Sequence, residues 1–317
     1  MRAAVLYGPH DFRIEDRPTP YIDTNQCLIQ IKACGVCHSE IHQWQVKTPG
    51  LEYPRMIGHE VAGVVLKIGP DVKRFREGDR VAVWVDGKGY AEEAAVNEER
   101  VFPIATDVPF TEAMAEPIAC TVNGVNKAGV QLGETVGIIG TGFMGLILLQ
   151  ELKLLGLNKL IAIDIRDEML AVAKKLGADI TINPQKEDPR KIIDSLTNNR
   201  GLDVCIEAGG SQATLDLAAD LCRMEGKLVI FGYHPGSRII KDLGYWNWMA
   251  FDIRNAHFRD VNIILQGMRI GMDLLNMGKI SLKTLVTDQF KFEDIENAFS
   301  AAQQKPKGFI KGVLVMD

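Results

Sequence analysis

No stretch of this 317-residue sequence stays apolar for long. The longest candidate, Phe143 to Leu157, is interrupted by Gln150, Glu151 and Lys153, so no membrane-spanning helix is expected. The opening MRAAVLYG is too short and too mixed to serve as a secretory leader. Cysteine is scarce. Six residues with one close pair, Cys34/Cys37, exclude a disulfide-stapled scaffold and make a reducing cytoplasm the expected compartment. No basic run or stripe offsets the net charge of −5, which excludes a nucleic-acid footprint. Internal repeats and low-complexity linkers are missing as well.

What is present is an ordinary globular balance, 46% hydrophobic and 24% charged. The length is more than one core usually serves, and two domains are expected. Short β-branched runs at 2–6, 12–17, 28–33, 61–68, 80–85 and 91–96, separated by Gly, Pro, Asn and Asp, predict a mostly-β region. From about Gly133 strands and helices alternate. A helix from Asp167 to Leu176 has acids in its first turn, Lys174 and Lys175 in its last, and Gly177 as its stop. Strands at 180–183, 203–207 and 227–231 follow, the pattern of a doubly wound parallel sheet in an α/β domain. Helices near 260–277 and 293–304 and a strand at 310–316 complete the chain.

The most informative stretch runs from Val136 to Asp164: an apolar strand, the turn Gly140-Thr141-Gly142-Phe143-Met144-Gly145, a helix, and a second strand ending on an acid. The glycines permit a tight turn, close approach of a pyrophosphate to backbone, and close packing of helix on strand. The helix N-terminus offers N–H groups and partial positive charge to phosphates. Asp164 can hold ribose hydroxyls and repels a 2′-phosphate, which favours NAD over NADP; Arg166, two residues on, softens that preference. In the β region, ACGVCHSEIHQW (33–44) and GHEVAGVV (58–65) carry Cys37, His59 and Glu60, ligand types that suit zinc. Their wide spacing fits an open catalytic site better than a finger. Neighbours on a regular strand point to opposite faces, so His59 and Glu60 share a metal only where the backbone bends.

GVCHSE, GHEVAGVV, EPIAC and GTGFMG, in that order over nearly the whole chain, resemble the zinc-dependent medium-chain alcohol dehydrogenase family, nearest its sorbitol (polyol) dehydrogenase branch. The resemblance implies a GroES-like, mostly-β catalytic domain over 1–122, a Rossmann domain over 123–258, a segment 259–317 returning to the catalytic domain, and an active site in the cleft between domains. It makes Cys37 and His59 zinc ligands and adds Glu60 and Glu116 as further ligand candidates. Cys120 is a rival ligand, but stands where the family places a small residue facing the nicotinamide. Phe143, Met144 and Lys311 join the cofactor contacts. Ser39 and His42 match a proton relay from the alcohol to solvent, His carrying it because its pKa lies near working pH. Glu40 resembles an acid that orients the ligand histidine and faces a C-terminal cation, for which Lys311 is the candidate. Trp44 and Arg259 are candidates for the substrate pocket.

The family commonly carries a four-cysteine lobe between the GDRV and GYAE strands. Here Gly78-Asp79-Arg80-Val81 is followed within a few residues by Gly89-Tyr90-Ala91-Glu92, without cysteine, so one catalytic zinc and no structural zinc are expected. That lobe sits near subunit contacts in the family, so a homo-oligomer, dimer or tetramer, is expected without a fixed geometry. The implied reaction is hydride transfer between an alcohol and NAD, zinc acting as Lewis acid. Glu116 in place of a cysteine points to polyol, sugar or cyclitol substrates. Competing readings are a threonine or amino-alcohol dehydrogenase, a zinc-free quinone or enoyl reductase of the same fold, and a nucleotide-binding protein without turnover.

Overall fold

The six β-branched runs form strands over Arg2–Gly8, Asp11–Asp16, Gln26–Gly35, Glu60–Ile68, Arg80–Trp84 and Glu93–Asn97. The computed structural model describes residues 1–47 and 50–316, which divide into two units, 1–119 with 265–317 and 120–264. Among the described residues, no helix is long and apolar enough to cross a membrane.

In the first unit the strand Gln26–Gly35 is the organising element. It pairs antiparallel with Glu60–Ile68 (Gly35 opposite Glu60), with Glu93–Asn97, and with the C-terminal strand Lys311–Val315 (Val313 opposite Gly35). These belong to a seven-stranded sheet, beside a three-stranded sheet built on Arg2–Gly8. Its alternating side chains Ile29, Ile31, Val61, Val65, Val81 and Val83 enter one core with Phe292, Phe299 and Leu314 from the other end of the chain. Fully burying side chains of this size contributes about 1.5–3 kcal/mol each.

The second unit is a six-stranded sheet in which every pairing is parallel. The order is Ile180–Ile182, Lys159–Ile163, Thr135–Ile139, Leu202–Glu207, Cys222–Ile230, Asp252–Asn255. The order reverses between Thr135–Ile139 and Leu202–Glu207, the switch point at which doubly wound folds bind ligands. The central strands are apolar on both faces, as a sheet covered by helices requires: Val136, Ile138 and Ile139 are buried, and so are Leu160 to Ile163. The helix Asp167–Leu176 ends on Gly177 at φ 112°, a left-handed stop that glycine adopts without steric cost. The aromatic cluster near its end is sorted by the helix Leu243–Met249. Trp246 is buried in the core, Tyr245 packs on Phe251 at a centroid distance of 6.2 Å, and Trp248 is 75% exposed.

Candidate functional site

The strand register assembles the first half of the site. Gly35 stands opposite Glu60, so the residues just past one strand end meet those just before the other. Cys37 caps the helix His38–Gln45 at its N-terminus. His59 precedes the strand that starts at Glu60, next to Gly58 at φ 105°. A Cβ at Gly58 would come within 2.6 Å of the Tyr90 backbone nitrogen, so both the turn and the close approach require glycine. Because His59 lies outside the regular strand, face alternation does not separate it from Glu60. One ligand atom each from Cys37, His59 and Glu60 lies within 4.8 Å of the others.

Thiolate, imidazole and carboxylate form a donor set that zinc accepts. Burial alone would push the His59 pKa down, yet the Glu40 carboxylate and the Cys37 thiol together hold it well above the usual histidine range. The anionic neighbours that favour the protonated imidazole are groups that would also favour a bound cation. Glu116, in the first turn of the helix Ala115–Ala128, places Oε2 3.8 Å from His59 Nε2, at the edge of the group. Cys120 stands four residues on, half-buried, and belongs to the second unit.

Around the cage the expectations divide. Glu40 is buried and its Oε1 accepts from His59 Nδ1 at 2.8 Å and from the Gly58 amide at 2.7 Å, the orienting role the resemblance implies. Lys311, however, does not face Glu40. Its ammonium lies 2.6 Å from Glu60 Oε2 and 2.8 Å from Oε1, and donates to the Val36 carbonyl at 2.9 Å. The reason is register: Lys311 opens the strand that crosses Gln26–Gly35 near its end, which carries it toward Val36 and Glu60. Ser39 Oγ lies 3.2 Å from Cys37 Sγ, and His42 is exposed one turn further along the same helix. Trp44 is corrected from pocket to core. It is 3% exposed, edge-on to His10 at 4.0 Å, tilted against Phe299 at 5.7 Å, and its Nε1–H donates to Glu296 at 2.8 Å.

The second unit holds the nucleotide-type turn. Gly140 has φ 98°, and a Cβ there would meet the Gly209 nitrogen at 2.7 Å. At Gly145 a Cβ would lie 2.1 Å from the Gly140 carbonyl oxygen, the close helix-on-strand contact. At Gly142 it would meet nothing nearer than Arg166 Nη2 at 3.8 Å, so the space outside the turn is open. The N-cap of the helix Phe143–Lys153 is Gly142, which has no side chain, and the helix begins with half-buried Phe143 and Met144. A helix N-terminus behind a glycine turn is the kind of place where diphosphates bind. Asp164 Oδ2 accepts the Thr141 amide at 2.8 Å, and Oδ1 accepts the Arg166 amide at 3.0 Å and its Nε at 3.2 Å. The acid therefore holds the turn, and Arg166 is its partner and the N-cap of the next helix.

Sequence reasoning missed a buried hub beside this turn. Glu207, fully buried at the end of its strand, accepts from the amides of Gly209 (2.8 Å) and Gly210 (2.7 Å) and from Thr214 Oγ1 (2.6 Å). Its Oε2 pairs with His234 Nε2 at 2.7 Å. A glutamate directly after the apolar run Val204-Cys205-Ile206, at the end of the strand Leu202–Glu207, was the available signal. Arg259, also in this unit, donates from Nη1 to the Phe258 carbonyl at 2.8 Å and is exposed.

Known proteins give the arrangement its place. The alcohol dehydrogenase GroES-like domain family matches residues 23–106, and the zinc-binding dehydrogenase family matches residues 144–274. The sorbitol dehydrogenase of Bacillus subtilis is 30% identical over 96% of this chain and 94% of its own. The D-xylulose reductase A of Aspergillus niger is 28% identical over 93% and 91%. The crystal structure of 2R,3R-butanediol dehydrogenase from Bacillus subtilis superposes with a TM-score of 0.87 at 24% identity, over 100% of this chain and 99% of that one. With a thiol–imidazole–carboxylate cage in one unit and a glycine turn closed by an acid in the other, the chain belongs to the zinc-dependent medium-chain alcohol dehydrogenase family, near its polyol branch.

Proposed function

We propose that this chain oxidises a secondary alcohol of the polyol, sugar or cyclitol kind to the corresponding carbonyl compound, reversibly, with NAD as hydride acceptor. The observation that carries this reading is the convergence of Cys37, His59 and Glu60 within 4.8 Å, with Ser39 and His42 on the helix that Cys37 caps. In the proposal these three hold one zinc per chain, and Glu116 stands close enough to take a place beside His59. When bound, the metal supplies Lewis acidity at the alcohol oxygen and the nicotinamide takes up hydride.

The chain's own contribution is positioning and proton transfer. Ser39 receives the alcohol proton beside the cage. His42, three residues on and so on the same helix face, passes it to solvent. Proton transfer through positioned groups of this kind contributes typically about 10²–10⁴-fold. Glu40 fixes the His59 ring so that Nδ1 stays occupied and Nε2 is turned to the metal. In the other unit Gly140, Gly142 and Gly145 admit the pyrophosphate, and Asp164 selects NAD. Arg259 is the remaining candidate for contact with substrate.

The polyol class is supported by relatives named for sorbitol and D-xylulose and by the glutamate at position 116. A homo-oligomer is supported by the strand Asp252–Asn255, which ends its sheet with Ile253 48% exposed. A cytoplasmic location is supported by six free cysteines. The test is a panel of polyols, cyclitols, amino alcohols and simple secondary alcohols with NAD or NADP, read at the absorbance of the reduced cofactor. Reduction with a polyol or cyclitol is expected, lost on exhaustive chelation and in Cys37→Ser, and restored by zinc in the parent protein alone. Activity that survives chelation would sink the metal reading, a preference for amino alcohols the substrate class, and better turnover with NADP the cofactor assignment. Metal analysis should return one zinc per chain; two would contradict the proposal.

A further inference from the structure

The shortened connection between Arg80–Trp84 and Glu93–Asn97 carries a residue that the reaction as proposed does not use. Tyr90 is fully buried, and its hydroxyl lies 2.6 Å from Glu40 Oε2 and 3.1 Å from the Gly35 carbonyl. The phenol has one proton to give, and the shorter, charge-assisted contact is to the carboxylate. Glu40 itself is 3% exposed, and each of its oxygens has defined donors. Oε1 takes His59 Nδ1 at 2.8 Å and the Gly58 amide at 2.7 Å, and Oε2 takes Tyr90. We infer that Tyr90 is a positioning residue for the metal site, the third member of a chain from phenol to carboxylate to imidazole that sets the plane of Glu40 and through it the orientation of His59.

Two further contacts tie Tyr90 to the same segment. Its backbone nitrogen donates to the Ile57 carbonyl at 3.2 Å, and the Gly89 amide donates to the Gly58 carbonyl at 3.0 Å. The loop that delivers His59 and the loop that delivers Tyr90 are thus one hydrogen-bonded unit. The Tyr90 ring is fixed independently, edge-on to Phe299 at 5.6 Å and to Phe12 at 6.3 Å. Removing the hydroxyl alone therefore leaves the aromatic packing in place and leaves Oε2 of a buried carboxylate without its donor. The carboxylate is then free to rotate, and the imidazole loses the constraint that holds its ligand nitrogen toward Cys37 and Glu60.

The inference rests on the reading that Cys37, His59 and a carboxylate bind zinc, and the experiment separates the two. Zinc affinity is measured by competition with a chromophoric chelator, and the visible spectrum is recorded with cobalt in place of zinc. Both are done for the parent, Tyr90→Phe, Glu40→Ala and the double variant. Partners that orient metal ligands typically change affinity by about 10–100-fold. Tyr90→Phe, one bond further out, is expected near the lower end, about tenfold weaker, with shifted cobalt bands and a melting temperature a few degrees below the parent, since a buried carboxylate oxygen loses its donor. On the Glu40→Ala background, where no side chain links the phenol to His59, the same change is expected to alter affinity less than twofold. A folded Tyr90→Phe protein with parental affinity and spectrum overturns the role of Tyr90. So does one that loses stability but keeps both, since the hydroxyl would then serve only the fold. An equal loss in both backgrounds also overturns it. A parent that binds neither metal overturns the zinc reading itself.

Discussion

Replacing Lys311 by Met tests how the metal cage is held when no metal is present. Lys311 and Glu60 form an ion pair at 2.6 Å, with side chains 7% and 2% exposed, and the ammonium also donates to the Val36 carbonyl. Removing one partner of a buried pair leaves an uncompensated charge and costs about 3–5 kcal/mol. The unit that contains the pair has roughly 170 residues, a size at which 1 kcal/mol moves the melting temperature by about 2–4 °C. Lys311→Met is therefore expected to melt on the order of 10 °C below the parent in scanning calorimetry of the metal-free protein. Two controls make the cause visible. Zinc should recover much of the loss, because it compensates the Glu60 carboxylate in place of the ammonium. Glu60→Gln on the Lys311→Met background should recover part of it without metal. A metal-free Lys311→Met protein that melts within about 2 °C of the parent would refute the argument.

Three further outcomes are expected. Glu151 is buried, its Oε1 is held by Thr121 and its Oε2 has no hydrogen-bond partner among the described residues, and burial pushes its pKa well above the ordinary 4.5. Its folded form is favoured when protonated, so that contribution is complete below 4.5 and is lost as pH rises through the raised value. Glu151→Gln, neutral throughout, should gain on the parent as pH increases from 5 to 8 in denaturant titrations; parallel curves would contradict this. Asp164→Ala removes hydrogen bonds of roughly 1.5–3 kcal/mol for charged groups, so kcat/KM with NAD should fall about 10–100-fold while NADP loses less. An unchanged ratio of the two cofactors would show that Asp164 serves the turn alone. Trp44→Phe should lower thermal stability through the lost Glu296 bond and leave KM for the alcohol unaltered, whereas a raised KM would return Trp44 to the pocket.

Much of the second unit is local in origin, and so was legible. The glycine turn, the acid at 164 and the helix Asp167–Leu176 with its left-handed stop at Gly177 all fall in one continuous strand–turn–helix–strand–helix stretch, each with its own residue-type signal. Continuous apolar strands alternating with helices were enough to name the parallel sheet. The ligand types at 37, 59 and 60 were legible too, as chemistry without a location.

Residue order by itself thus determined the two kinds of architecture, the nucleotide turn and the inventory of donors for a metal. Only the tertiary structure decided which donors meet and what holds them. The register that sets Gly35 opposite Glu60 brings Cys37 to His59, and the C-terminal strand delivers Lys311 to Glu60 rather than to Glu40. Nothing in the neighbours of Tyr90 in sequence points to Glu40, fifty residues away, which accepts its hydroxyl. The indole of Trp44, a pocket candidate from its neighbours in sequence, was claimed by Glu296 and Phe299 some 250 residues away. Charges and rings carry no address in sequence. Their partners are set by strand register and core packing, which depend on contacts between distant parts of the chain.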